Sequence, residues 1–152
     1  MDRGMKAAEF FLGGYNCAQA VAMAFADVTG LDEKTSARMV SGFGGGMGRL
    51  REVCGAVSGM FFVLSTLYGY DSPDDKVKKQ LYTDVQKLAA EFKEENGSII
   101  CREILKNPPS DPNPSARTAE YYALRPCARM VYTAASLMEK YMEAHPLEED
   151  HE

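Results

Sequence analysis

An all-α fold is predicted by three features of the sequence. Apolar residues recur at three- and four-residue spacing through several segments. No stretch alternates apolar and polar residues as a half-buried strand would, and glycine or proline punctuates the chain at helix-length intervals. At 152 residues with 45% hydrophobic residues, the chain is long enough to bury one core without disulfide staples. The expected architecture is a single-domain bundle of about six helices over residues 1–145, with a glycine-rich loop before a central apolar helix. Residues 146–152 read as an acidic tail that frays.

The first expected helix covers residues 2–12, with Met5, Ala8, Phe11 and Leu12 as its apolar stripe and Gly13-Gly14 as its stop. Asn16 can cap a second, with Cys17, Ala20, Val21, Ala24 and Phe25 along one face and Gly30 at its end. Asp32 starts a short third helix through Met39-Val40. Five glycines then fall within the seven residues from Gly42 to Gly48. A long apolar helix follows from about Arg49 to Leu67, closed by Gly69. Its segment with Met60, Phe61, Phe62, Leu64 and Leu67 is apolar around most of the circumference and belongs centrally in the core or in an interface.

Ser72-Pro73 opens the next helix, with Pro73 suited to a first turn and Asp74-Asp75 complementing the macrodipole. It runs to about Glu95, with Val77, Leu81, Val85, Leu88 and Phe92 as the buried stripe. Gly97 ends it, and Ser98 caps a short helix through Leu105. The four prolines between Asn107 and Pro114 force a loop. A final helix starts near Pro126 and ends near Ala144.

The formal net charge of −5 argues against non-specific nucleic-acid binding, which needs a basic surface. No apolar run approaches the roughly 20 residues that span a bilayer, so no membrane association is expected. The N-terminus lacks the basic, apolar and small-residue succession of a signal peptide, which leads to the expectation of a cytoplasmic protein. In a reducing compartment, cysteines bind metal, react or lie buried more often than they form permanent bridges. None here is part of a Cys-x-x-Cys pair. With only His145 and His151, both near the C-terminus, a histidine-containing zinc site or a Cys–His nucleophile pair is not expected.

Cys17, Cys54, Cys101 and Cys127 are far apart, yet each falls where a helix is expected to begin. Unpaired N–H groups and the positive end of the macrodipole stabilise a thiolate there. Inert burial is the competing reading for any single cysteine, and four coincidences with helix starts weigh against it. Of the neighbouring arginines, Arg102, Arg125 and Arg129 are expected to point away, and only Arg51 to share a face with its cysteine, Cys54.

The glycine-rich loop fails the tests for a nucleotide cradle: no Gly-Lys-Ser/Thr follows it and no strand precedes it. Glycine there permits positive φ or close backbone approach, and can aim N–H groups at sulfur or at a bound anion. Gly55 and Gly59 lie four apart on one helical face, suited to tight packing against another helix or a group beside Cys54.

Tyr15-Asn16-Cys17-Ala18-Gln19-Ala20, Gly44-Gly45-Gly46-Met47-Gly48, Cys54-Gly55-Ala56-Val57-Ser58-Gly59, Cys101 and Cys127 together resemble the redox-active C_GCAxxG_C_C family of bacterial and archaeal proteins. The resemblance covers roughly Phe10 to Met138, with Cys54-Gly55 standing where the family name writes Gly-Cys. That transposition turns the cysteine by about 100° on a helix. The family is similar in part to split-Soret cytochromes, in which an iron–sulfur centre accompanies haem. This chain has no Cys-x-x-Cys-His, so no haem is expected.

The resemblance implies a redox site at Cys17, Cys54, Cys101 and Cys127, with Gly44, Gly45, Gly46, Gly55 and Gly59 around any cofactor. Two chemistries fit four converging thiols. They could hold an iron–sulfur cluster, [2Fe–2S] being favoured, or two of them could form a reversible disulfide with a low-pKa thiolate attacking and a second thiol resolving. Either would make the chain an electron carrier or oxidoreductase with a redox partner that the sequence does not identify. Zinc fits less well, because structural zinc usually takes ligands as close sequence pairs. Tyr15, Tyr121 and Tyr122 are candidate hydrogen-bond donors to the site. The rival reading is a non-enzymatic helical module, in one form a homodimer, whose cysteines are scattered and inert or bind zinc.

Overall fold

Ten helices and no strand make up residues 2–147, the part of the chain that the computed structural model describes, and 67% of the chain is helical. The fold is all-α, as the apolar spacing predicts. The chain-order elements are α1 (Arg3–Leu12), α2 (Cys17–Met23), α3 (Ala26–Thr29), α4 (Glu33–Met39) and α5 (Gly44–Met47). They continue with α6 (Gly55–Tyr68), α7 (Asp75–Asn96), α8 (Cys101–Ile104), α9 (Ala119–Leu124) and α10 (Cys127–Ala144). Residues 148–152, with His151 and most of the acidic tail, lie outside the described residues. No described helix is long and apolar enough to cross a membrane.

Local capping fixes most helix starts. Asp2, Asn16, Asp32, Asp74 and Thr118 each accept a hydrogen bond from a backbone N–H in the first turn that follows. Gly30 and Gly97 end α3 and α7 in the left-handed conformation. Helices α1, α2, α6 and α10 pack on one another around Phe11, Val21, Phe25, Val57, Met60, Leu64, Met130 and Met138, while Leu88 and Phe92 bring in α7. The apolar α6 thus lies in the core.

Several expectations are corrected. The inward face of α1 carries Gly4, Ala7 and Phe11, whereas Met5 and Leu12 are exposed. Gly4 selects that face: a Cβ there would lie 2.5 Å from Ser136 Oγ, so only a bare backbone lets α1 approach α10 this closely. The expected second helix breaks at Ala24-Phe25 into α2 and α3. Asp74, not Pro73, adjoins the start of α7, and Val77 is exposed. Ile100 precedes α8, while Ser98 acts one step earlier by accepting from the Ile100 N–H at 2.9 Å. Helix α9, capped by Thr118, lies in a stretch for which the apolar spacing predicts no helix.

The largest correction concerns α6, which begins at Gly55 rather than Arg49. Met47, Arg49 and Arg51 all have φ between 64° and 69°, a left-handed backbone that no α-helix propagates. The segment instead folds back across the chain around Cys101: Val53 and Ile100 form an isolated antiparallel bridge, flanked by Cys54 N–H to Ile99 O at 2.7 Å and Cys101 N–H to Glu52 O at 2.6 Å.

Candidate functional site

Each cysteine stands at a helix start, as the sequence suggested. Cys17 is the first residue of α2, behind a capping box in which Asn16 and Gln19 satisfy each other's backbone N–H groups at 2.9 and 3.1 Å. The Asn16 amide also donates to Ser41 O at 3.0 Å, tying this corner to the glycine-rich loop. Cys54 immediately precedes α6, and Cys101 and Cys127 are the first residues of α8 and α10. The Val53–Ile100 bridge sets Cys54 and Cys101 on adjoining stretches of backbone.

The glycine-rich loop serves this arrangement by what it leaves empty. At Gly46 the backbone has φ 72°, and an added Cβ would lie 2.7 Å from Cys101 Cβ and 2.8 Å from Arg51 Cα. Part of the loop's donor capacity is spent within the turn, with Gly48 N–H on Gly42 O at 2.8 Å and Glu52 N–H on Gly46 O at 2.9 Å. Gly55 lets α6 approach α2, since a Cβ there would lie 3.1 Å from Cys17 Cβ. Gly59 does the same one turn later, 2.7 Å from Ala18 O.

Cys17, Cys54, Cys101 and Cys127 line one cavity of about 60 Å³, together with Gly45, Gly46 and Gly55. Phe11 and Met130 close its apolar side, and Arg51, Arg117, Tyr121 and Arg125 form the polar side. A second cavity of about 440 Å³ adjoins it, shares those four polar residues, and takes Gly44 into its wall. Gly59 lines neither and acts in helix packing. All four cysteines are free thiols; Cys17 is half-buried and the others are buried. Despite the transposed neighbour, Cys54 reaches the shared cavity.

Their environments separate the four thiols. Interaction with the neighbouring Cys127 sulfur holds the Cys17 thiol well above its ordinary range, with burial adding to the effect. The same interaction draws the Cys127 thiol below its ordinary value; burial opposes this, and Arg125, Arg117 and Arg51 reinforce it. Cys54 is pushed up to about 12 by burial, against backbone N–H groups of Ala56 and Val57 that favour its thiolate. Burial raises Cys101 as well, countered by Arg51, whose Nη1 lies 3.6 Å from Cys101 Sγ.

Arg51 therefore serves Cys101 rather than Cys54, because the residues from Arg49 to Val53 are not helical. Arg125 also faces the thiols, contrary to the expectation drawn from helix geometry, since it lies in extended backbone (ψ 131°) before Pro126. Arg117 carried no local signal. It leaves the proline-rich loop to stack over Phe11 at 4.4 Å and to donate to Phe11 O and Tyr15 O at 3.0 and 3.1 Å. Of the three tyrosines, Tyr121 lines the cavity, Tyr122 donates to Leu12 O at 3.3 Å, and Tyr15 is exposed.

Among the described residues, no three His, Cys, Asp or Glu side chains converge as a ligand set for a single metal ion. His145 stacks on Tyr141 at 4.1 Å between ring centres, away from the thiols.

Comparison with known families matches residues 15–141, from just before Cys17 to beyond Cys127, to the family described as "Putative redox-active protein (C_GCAxxG_C_C)". No curated protein and no solved structure matches the chain.

Proposed function

The chain belongs to the redox-active C_GCAxxG_C_C family, and from that premise we propose that Cys17 and Cys127 form a reversible thiol/disulfide centre. Cys127 attacks and Cys17 resolves. The observation that carries this reading is that Cys17 and Cys127 line one cavity beside Arg117 and Arg125, where their interaction favours thiolate at Cys127 and thiol at Cys17. Exchange needs both: a thiolate nucleophile, and a neighbour that keeps its proton until the second step.

In the first step the Cys127 thiolate attacks one sulfur of a disulfide-bearing oxidant, forming a mixed disulfide and releasing the other sulfur as a thiolate. Cys17 then gives its proton to that released thiolate and attacks Cys127 Sγ. This forms the Cys17–Cys127 disulfide and expels the second sulfur of the oxidant. Two electrons pass from the protein pair to the oxidant; a dithiol reductant reverses the sequence. The guanidinium groups of Arg117 and Arg125 favour the thiolate at the start and when reduction regenerates it.

The test is the pH dependence of alkylation by iodoacetamide, read at each cysteine by peptide mass spectrometry. Cys127 is expected to react first, with its half-maximal rate below pH 9, and Cys54 to resist until the pH nears 12. Equal rates at Cys127 and Cys54 at pH 7.5 would remove the basis for the assignment.

One observation favours a second reading: all four cysteines line the same cavity. Four thiolates are the usual ligand complement of a [2Fe–2S] cluster, and the donor set fits that chemistry. Cys17, Cys54, Cys101 and Cys127 would hold the cluster, which when bound would supply one-electron transfer. The arginines at the cavity wall would offset the negative charge of four thiolates. Anaerobic reconstitution with iron and sulfide distinguishes the readings: stoichiometric iron with visible absorbance supports the cluster, and colourless, iron-free protein eliminates it.

A further inference from the structure

We propose that the larger cavity beside the thiols binds a small molecule carrying two negative charges on oxygen, of which inorganic phosphate is the simplest representative. Four arginines, Arg49, Arg51, Arg117 and Arg125, line this one space of about 440 Å³, and no aspartate or glutamate does. The volume lies within the range of small-ligand pockets. A chain with a formal net charge of −5 has thus gathered a purely cationic wall at one place.

The state of those arginines points to a missing anion. Arg51 is only 4% exposed, yet its Nε donates to a neutral carbonyl, Pro109 O, at 2.9 Å. Arg49 donates to Ser115 Oγ at 3.2 Å, while its buried Nε has no partner. Arg117 is satisfied by backbone carbonyls, and Arg125 lies over the Tyr121 ring at 5.1 Å. Among the described residues, none of the four has a carboxylate within ion-pair distance; the Asp111 carboxyl is held low chiefly by the Asn113 N–H, with Arg49 a lesser influence. By contrast, Arg3, elsewhere on the molecule, is paired with Asp27, and Arg102, which donates to Arg51 O from outside the cavity, is paired with Glu52.

A buried cation without a counter-charge is costly, and a ligand that brings the counter-charge removes that cost. Guanidinium forks match the paired oxygens of phosphate, sulfonate and carboxylate. Even with thiolates at both Cys101 and Cys127, two of the four positive charges remain, which a dianion balances. Arg49 and the Ser115 hydroxyl supply donors on the side away from the cysteines. A ligand seated here would lie against the cysteine cavity through Arg51, Arg117 and Arg125.

Isothermal titration calorimetry on the reduced full-length protein tests this directly, with inorganic phosphate, sulfate and succinate each compared with chloride at equal ionic strength. Saturable one-to-one binding of at least one of the three is expected. Arg49→Gln and Arg125→Gln should each weaken it at least about tenfold, as loss of a charge-assisted hydrogen bond predicts. Arg3→Gln, outside the cavity, should bind as the wild type does. The inference is overturned if none of the three anions binds beyond the chloride control, or if Arg3→Gln loses as much affinity as the cavity variants. No redox turnover enters the measurement, so failure of the thiol/disulfide reading would leave its result unchanged.

Discussion

Replacing Cys127 with serine is expected to remove the fast-reacting thiol of this protein, whereas replacing Cys17 should leave it in place but unresolved. With an aromatic disulfide reagent at pH 7.5, the wild-type pair should release two equivalents of leaving thiolate. The first appears as the mixed disulfide forms on Cys127 and the second as Cys17 displaces it. Cys17→Ser should release only the first and retain the adduct on Cys127. Cys127→Ser should lose both, its residual reaction being at least about tenfold slower, because burial holds up the thiols of Cys54 and Cys101 and Cys17 no longer has a thiolate partner to relay to. Serine is close to cysteine in shape, so the circular dichroism of both variants should match the wild type. Equal rates in the wild type and Cys127→Ser would assign the reactive thiolate elsewhere.

The largest loss of stability is expected from Gly46→Val. Its φ of 72° is one that a β-branched residue enters at a cost of about 1–3 kcal/mol. The added atoms would also meet Arg51 Cα and Glu52 N at 2.8 Å, and backbone cannot swing aside as a flexible side chain can. Overpacking of this kind costs about 1–3 kcal/mol more. For a domain of this size the sum corresponds to a fall in Tm of about 10 °C. Gly42→Ala is the internal control: nothing lies within 4 Å of a Cβ there, and its Tm should stay within about 2 °C of the wild type. Since the same clash displaces Arg51 and Cys101, Gly46→Val should also expose Cys101 to alkylation. Equal thermal stability of the two variants would contradict the role given to the loop.

What the sequence made legible was local chemistry. Asn16 and Asp32 could be recognised as helix starts because each uses its own side chain to satisfy a donor three residues away. Capping placed Cys17 in this way, whereas glycine and proline punctuation placed Cys54, Cys101 and Cys127. The stretch from Arg49 to Val53 was misread as helix because its turns are made by Met47, Arg49 and Arg51, residues that ordinarily avoid positive φ and so carry no turn signal. The inward face of α1 was misread for a tertiary reason. The close approach of α10 at Ser136 favours Gly4 on the inward face, and spacing alone favours the larger Met5 and Leu12.

The cationic side of the site was hidden for a related reason. Arg117 reaches Phe11 and Tyr15 from a proline-rich loop more than 100 positions away, a contact that exists only once the helices have assembled. Arg125 faces the thiols because Pro126 holds the preceding backbone extended. A helical reading of the same dipeptide turns that side chain outward. The cysteines could thus be found by inspection of the chain, and the charges that differentiate them could not.

The measurement that bears most directly on the central proposal is a disulfide map of the protein after stoichiometric oxidation, alkylation of the remaining thiols and digestion. The Cys17 and Cys127 peptides should be recovered joined, with Cys54 and Cys101 alkylated. Recovery of Cys17 and Cys127 as alkylated peptides, or joined instead to Cys54 or Cys101, would contradict the assignment.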